Sequence, residues 1–206
     1  MPQANIFSSF KNLTNALAPA QIGKQSEIWG SARHDDNYAA VYNGVVCMGM
    51  NPVASPVTLS AALATTYVGL CLSNPAGSGK NLNLLTVETA LIVAPAALTS
   101  LFLITGYAAG GITAHTTPLT PQSAFVGLTP NGSIVGLLDS ACTLVGTPVG
   151  SRVLGTAVGA TTPYSTFQDL KGSIIIPPGG YVAIGSNIAG PTSGFLGSFS
   201  WEEVPV

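Results

Sequence analysis

From residue 38 onward, the sequence is a succession of short apolar or alternating runs, separated by turns that are rich in glycine, proline and asparagine. The clearest turns are Pro-Asn-Gly at 130–132 and Pro-Pro-Gly-Gly at 177–180. Strand-length runs that recur roughly every 8 to 15 residues, with no long helical stripe between them, predict an all-β antiparallel sandwich or barrel. The predicted strands cover residues 45–50, 57–72, 82–93, 100–107, 123–128, 133–138, 141–145, 152–158, 173–176, 180–185 and 195–204.

The last of these runs indicates which of its side chains face the core. Phe195, Phe199 and Trp201 share one face of the strand, because side chains two residues apart point the same way. Serines occupy the opposite face, so the strand is predicted to be half-buried. Glu202 and Glu203 are consecutive and therefore point to opposite faces. We expect them to form an exposed strand end and not a pair of catalytic carboxylates.

Charged residues make up only 7% of the chain, against roughly 25% of an ordinary soluble protein. A free monomer usually keeps a well-charged surface for solubility. We therefore expect much of this surface to be buried between copies, in a symmetric oligomer of three subunits. The six lysines and arginines are scattered along the chain, whereas nucleic-acid binding needs them clustered. Nucleic acid is therefore not an expected partner.

Residues 89–138 contain no Asp, Glu, Lys or Arg. A transmembrane helix needs about 20 mainly apolar residues, and Pro95, Ser100 and Thr105 interrupt the apolar part of this region. Two buried strands joined near Pro95 explain the run, so no membrane contact is expected. The N-terminus also lacks the basic and apolar pattern of a signal peptide.

The three cysteines, Cys47, Cys71 and Cys142, lie far apart in apolar stretches. Such positions predict free, buried thiols that pack as small hydrophobic side chains. An odd number of cysteines without a CxxC pair is a poor disulfide framework, which fits assembly in a reducing cytoplasm.

The polar residues do not form a recognisable catalytic, cofactor or metal site. Gly-Ser-Gly-Lys at 77–80 is similar to the end of a phosphate-binding loop, but Asn74 and Asn81 stand where that loop has Gly and Ser or Thr. We predict a turn between two strands there. His34, Asp35 and Asp36 are adjacent, and adjacent residues rarely converge on one ion. Two histidines and eight carboxylates leave few general acids or bases, so neither an enzyme nor a cofactor is expected.

Residues 1–36 are predicted to be an N-terminal arm with a short helix, and residues 37–206 the β-domain. Apolar residues in the arm recur at spacings of three and four, which forms one stripe of a helix. The stripe either covers one end of the β-domain or docks on a neighbouring subunit or another protein. We favour docking, because so short a helix is marginal in water alone and the β-domain has enough strands to close its own core. The candidate interface residues are Ile6, Phe7, Phe10, Leu13 and Leu17.

Three stretches carry a resemblance to a known family. They are Asn-Pro-Ala-Gly-Ser-Gly-Lys-Asn-Leu at 74–82, Ile-Pro-Pro-Gly-Gly-Tyr at 176–181 and Trp-Glu-Glu-Val-Pro at 201–205. Together they resemble small jelly-roll virion proteins of tailed bacteriophages, of the head decoration, cement or fibre type. The resemblance implies a TNF-like or capsid-type jelly roll, often a homotrimer, that binds the outside of the major capsid protein shell. It carries no catalytic residues over to this chain.

The leading hypothesis is a non-enzymatic decoration or cement protein on the surface of a phage head, assembled in the host cytoplasm. The first alternative is a fibre or tail module that binds a receptor, for which Tyr38, Tyr42, Tyr107 and Tyr164 are the candidate contacts. The second alternative is a jelly-roll coat protein that itself forms the shell.

Overall fold

A computed structural model describes residues 21–22, 28–29, 37–52, 54–61, 63–107, 112, 114–127, 130, 132–157 and 164–206. The chain divides into two units, Met1–Tyr38 and Ala39–Val206. In the first unit, β1 (Gln21–Ile22) and β2 (Ile28–Trp29) pair as antiparallel strands. The helix predicted in the arm and the adjacent residues His34, Asp35 and Asp36 lie outside the described residues.

The rest of the described chain is almost entirely β-structure, as predicted. One short helix, α1 (Tyr38–Tyr42), precedes the strands. No helix within the described residues is long and apolar enough to cross a membrane. The strands are β3 (Val46–Met50), β4 (Thr66–Ser73), β5 (Lys80–Leu91), β6 (Thr99–Tyr107), β7 (Ala114–Leu119), β8 (Gln122–Ser123), β9 (Leu137–Thr143), β10 (Val149–Ala157), β11 (Tyr164–Ile176), β12 (Gly180–Ser186) and β13 (Phe195–Pro205).

These strands form two antiparallel sheets. The five-stranded sheet has the order β11-β5-β13-β3-β8, and the six-stranded sheet has the order β10-β6-β12-β4-β9-β7. Side chains from both sheets meet in one apolar core that includes Leu84, Leu103, Val182, Phe199 and Trp201. The all-β antiparallel sandwich predicted from the sequence is therefore confirmed.

Around β12, the six-stranded sheet is buried on both of its faces. Along β12, Val182 lies in the main core, whereas Tyr181 and Ala183 belong to a second apolar cluster. Because successive residues of a strand point to opposite faces, the second cluster lies on the outer face of this sheet. Ile112 and Leu144, which lie outside the strands, complete that cluster. Residues outside the strands therefore cover the outer face around β12, whereas Val153 on β10 is exposed on that face.

The Tyr67 hydroxyl bonds to backbone groups at the point where β4 and β12 stop pairing with each other. The ladder between β4 and β12 ends where Cys71 pairs with Ala183. The Tyr67 hydroxyl then takes the place of a backbone partner: it lies 2.8 Å from the backbone N of Leu70, 3.2 Å from the N of Ile184 and 2.6 Å from the Ile184 oxygen. A Cβ atom at Gly69 would collide with this hydroxyl, so the close approach requires glycine there.

Two further predictions are confirmed at the level of local structure. Residues 74–79 form a turn between β4 and β5, in which Gly77 and Gly79 adopt positive φ angles of 76° and 71°. This conformation suits glycine because it has no Cβ atom. The three cysteines are free and buried, and burial, followed by the charge of Glu203, raises the pKa of Cys47 to about 12.

Other strand predictions are wrong. Residues 133–136 are not a strand. Of the described residues of the strand predicted at 123–128, only Ser123 is in a strand, as the last residue of β8. The edge strand β7 and the first nine residues of β11 were not predicted at all.

Candidate interaction surface

The outer face of the five-stranded sheet is the broad uncovered surface of the described β-structure. Met48 and Met50 on β3 and Phe167 on β11 are all exposed there. We call this surface the open face. Its members are Met48, Met50, Asn83, Thr86, Glu88, Ala90, Ser165, Phe167, Asp169, Ile175, Leu196, Ser198, Ser200 and Glu202.

Strand register sets the open face out in rows that cross four strands. The central row runs Met50, Ser198, Glu88, Phe167. Neighbouring strands lie about 4.8 Å apart, so this row spans roughly 15 Å. In the row beside it, the hydroxyls of Thr86 and Ser200 lie 2.7 Å apart and satisfy each other. The face therefore has apolar side chains at both margins, with hydroxyls and Glu88 between them.

A shallow depression of about 140 Å³ lies at the middle of the open face. Glu88 is exposed there, on the strand next to Ser198. The residues that line the depression are Met50, Glu88, Thr89, Ala90, Leu196, Gly197 and Ser198.

The open face is mainly acidic. Register places three ionisable residues on it, Glu88, Asp169 and Glu202, and all three are acidic; Lys171 is also exposed, two residues after Asp169 in β11. A surface that combines exposed methionine and phenylalanine with carboxylates is suited to a partner that is both apolar and basic.

A groove runs between the edge strands β10 and β11 at one end of the sandwich. Part of it encloses about 320 Å³ beside Tyr107, Val149 and Ile175, all of which are largely exposed. An adjoining part is lined by Ser151 and Arg152. Of the four tyrosines proposed as receptor contacts, Tyr107 lines this groove.

The other three tyrosines are placed differently. The Tyr164 side chain packs against the main core, and the Tyr42 ring lies 5.8 Å from the ring of Phe125. Tyr38 is in α1, in the first unit of the chain. Within the second unit, Tyr42, Tyr107 and Tyr164 do not come together in one aromatic groove.

One buried carboxylate, Asp139 on β9, was not identified from the sequence. Its Oδ2 atom lies 2.7 Å from Nδ1 of His115 on β7, and its side chain is fully buried whereas the histidine is partly exposed. Burial raises the pKa of Asp139, and the hydrogen bond and charge of His115 oppose that shift. The nearest thiol, Cys71, has a pKa raised mainly by burial, which makes it a poor nucleophile. The pair therefore joins two strands and offers no reactive group.

This buried pair predicts a pH dependence of stability. A carboxyl whose pKa is higher in the folded chain binds its proton more tightly there than in the unfolded chain. The free energy of unfolding then falls as pH rises from about 3.9, the unfolded value, through the folded pKa. We expect Asp139→Asn, which keeps an acceptor for His115, to lose this decline in urea titrations. Asp169→Asn, at an exposed carboxylate, should retain it, and a decline that persists unchanged in Asp139→Asn would contradict the assignment.

A second buried carboxylate, Glu203 at the end of β13, corrects a prediction. The expected exposed strand end is wrong for this residue: its side chain is 3% exposed and its Oε2 atom lies 2.9 Å from Nζ of Lys80. Its Oε1 atom accepts hydrogen bonds from the backbone N–H groups of Val135 and Gly136 and from the indole of Trp201. Through these hydrogen bonds, Glu203 holds the backbone of residues 135–136 next to β13.

The predicted interface residues of the arm, Ile6, Phe7, Phe10, Leu13 and Leu17, all lie outside the described residues. Among the residues that are described, no group of three or more His, Cys, Asp or Glu side chains could hold a metal ion. Comparison with known protein families, curated proteins and solved structures gave no match for the chain.

Proposed function

We propose that this chain is a structural, non-enzymatic virion protein that decorates and cements a bacteriophage head as a homotrimer, and that its β-domain is a jelly roll. In this role the protein binds the major capsid protein from outside. It adds buried area across the junctions of the shell, and binding that favours the assembled state stabilises it by mass action.

The order of the strands is the observation that carries the proposal. Eight strands alternate between the sheets as β3-β13-β5-β11 and β4-β12-β6-β10, which is the order of two Greek keys wound into a jelly roll. Strands β7, β8 and β9 then form an insertion between the fourth and fifth strands, which extends both sheets at one side. Jelly rolls of this kind are common in viral shells.

The surface supports an assembled state over a free monomer. The chain has little charge, and the open face exposes Met48 and Met50 at one margin and Phe167 at the other. Methionine and aromatic side chains are enriched at protein interfaces. A decoration protein would cover such a surface in the particle.

Locating the protein in purified particles tests the proposal. We expect cryo-electron microscopy to show the β-domain on the outer surface of the head, and quantitative mass spectrometry to give hundreds of copies per particle, as repeated symmetric sites require. Copies that form the shell itself would favour a coat protein. A few to some tens of copies on the tail would favour a receptor-binding module, for which the groove beside Tyr107 is the candidate site. Either of these two results, or absence from the particle, would reject the cement role.

A further inference from the structure

We propose that the open face binds residues 6–17 of a neighbouring copy of this chain, so that each subunit receives the N-terminal arm of another. This inference rests on the proposed oligomeric assembly and names the surfaces that hold it together. It does not depend on attachment to a capsid.

The chemistry of the open face sets two requirements for its occupant. Met48, Met50 and Phe167 are 38%, 45% and 62% exposed, so an occupant must supply apolar side chains to cover them. Glu88 stands in the central row of the face, and no hydrogen bond or ion pair links it to another described residue. The occupant must therefore also bring positive charge.

Residues 1–26 of the chain meet both requirements. They contain Lys11 and Lys24 and no Asp or Glu, since the first acidic residue is Glu27. Lys11 follows directly after Phe10, within the apolar stripe. Residues 6–17 thus combine one lysine with the apolar stripe and carry no acidic residue, which suits a face of carboxylates and apolar side chains.

Charge argues against a second open face as the occupant. Two open faces in contact would bring Glu88, Asp169 and Glu202 of one copy against the same carboxylates of the other. Like charges that face each other across an interface are unfavourable. Around β12, the outer face of the six-stranded sheet is covered by Ile112 and Leu144, so the arm has no free surface there.

A charge exchange in the full-length chain tests the pairing. In sedimentation experiments, Glu88→Lys and Lys11→Glu should each raise the concentration needed for self-association by about tenfold. The double variant should return to within about threefold of the wild type. Arg152→Glu is the matched control, since Arg152 is exposed on the edge strand β10, and it should leave association unchanged. A double variant no better than the single variants would overturn the pairing, as would a wild type that stays monomeric at high concentration.

Zero-length carbodiimide cross-linking distinguishes exchange between copies from folding back within one copy. In a mixture of ¹⁴N and ¹⁵N chains, we expect an amide bond between Lys11 and Glu88 in peptides of mixed label, with loss of one water. Cross-links confined to peptides of a single label would show that each arm binds its own subunit and would overturn the exchange. If either of these experiments fails, the exchange of arms between copies is rejected. The proposed location on a phage head is tested separately by microscopy of the particles.

Discussion

Replacing Tyr67 by phenylalanine is expected to lower the free energy of unfolding by at least about 3 kcal/mol, although the change removes a single oxygen atom. The hydroxyl is the partner of two backbone N–H groups, those of Leu70 and Ile184, and of the Ile184 oxygen. All three groups are buried, and each one left without a partner costs about 1–3 kcal/mol. Phenylalanine keeps the packing of the ring, so the loss reports the hydrogen bonds alone.

Urea unfolding followed by circular dichroism measures this effect. Tyr107→Phe on β6 of the same sheet is the control, because Tyr107 is 69% exposed and its hydroxyl bonds to no described residue. The free energy of unfolding of Tyr107→Phe should stay within about 0.5 kcal/mol of the wild-type value. A Tyr67→Phe midpoint equal to that of Tyr107→Phe would show that water replaces the hydroxyl in the gap between β4 and β12.

Strands with one apolar face were predictable from the sequence. In β13, the alternation of Phe195, Phe199 and Trp201 with serines matches a strand whose buried side faces the main core. Strands β5 and β6 and the turn near Pro95 between them were also predictable, because an apolar run broken by proline fits two buried strands. Their places in different sheets were not predicted.

Edge strands were harder to predict, for a physical reason. β7 consists of Ala-His-Thr-Thr-Pro-Leu and is almost fully exposed, so no apolar alternation marks it. The first half of β11 presents Phe167 to solvent while Gln168 points towards the sandwich, which reverses the usual pattern. An edge strand has a partner on one side only, and neighbours that are distant in sequence decide where it pairs.

The polar contacts depend on the same long-range register. Lys80 and Glu203 are 123 residues apart in the chain, and they meet only because β5 and β13 are neighbours in the sheet. Without that register, a glutamate near the end of a strand is more simply interpreted as solvated. The rows of the open face could not be predicted for the same reason, although the alternation of Met48 and Met50 with Gly49 is visible in the sequence.

Glu203→Ala is expected to destabilise the β-domain by about 3–5 kcal/mol, the cost of leaving a buried charge network without one partner. The substitution removes the acceptor of the Val135 and Gly136 N–H groups and of the Trp201 indole. It also leaves the Lys80 ammonium without its carboxylate. A Cβ atom at Gly136 would lie 2.8 Å from the Trp201 indole nitrogen, so these two groups are in close contact and the segment has little room to move to new partners.

Glu202→Ala is the matched control, because it removes the same charge from the adjacent residue on the opposite face of β13. Its side chain has no hydrogen bond to a described residue, so its unfolding free energy should change by no more than about 0.5 kcal/mol. Lys80→Met should give an intermediate loss, since Glu203 then keeps its three N–H donors and loses only the ammonium. We expect the loss of unfolding free energy to be largest for Glu203→Ala, smaller for Lys80→Met and smallest for Glu202→Ala. This order would identify the Glu203 carboxylate as the centre of the network. Equal costs for the two glutamate variants would mean that residues 135–136 are held by the apolar packing of Ile134 and Val135 on the core and not by Glu203.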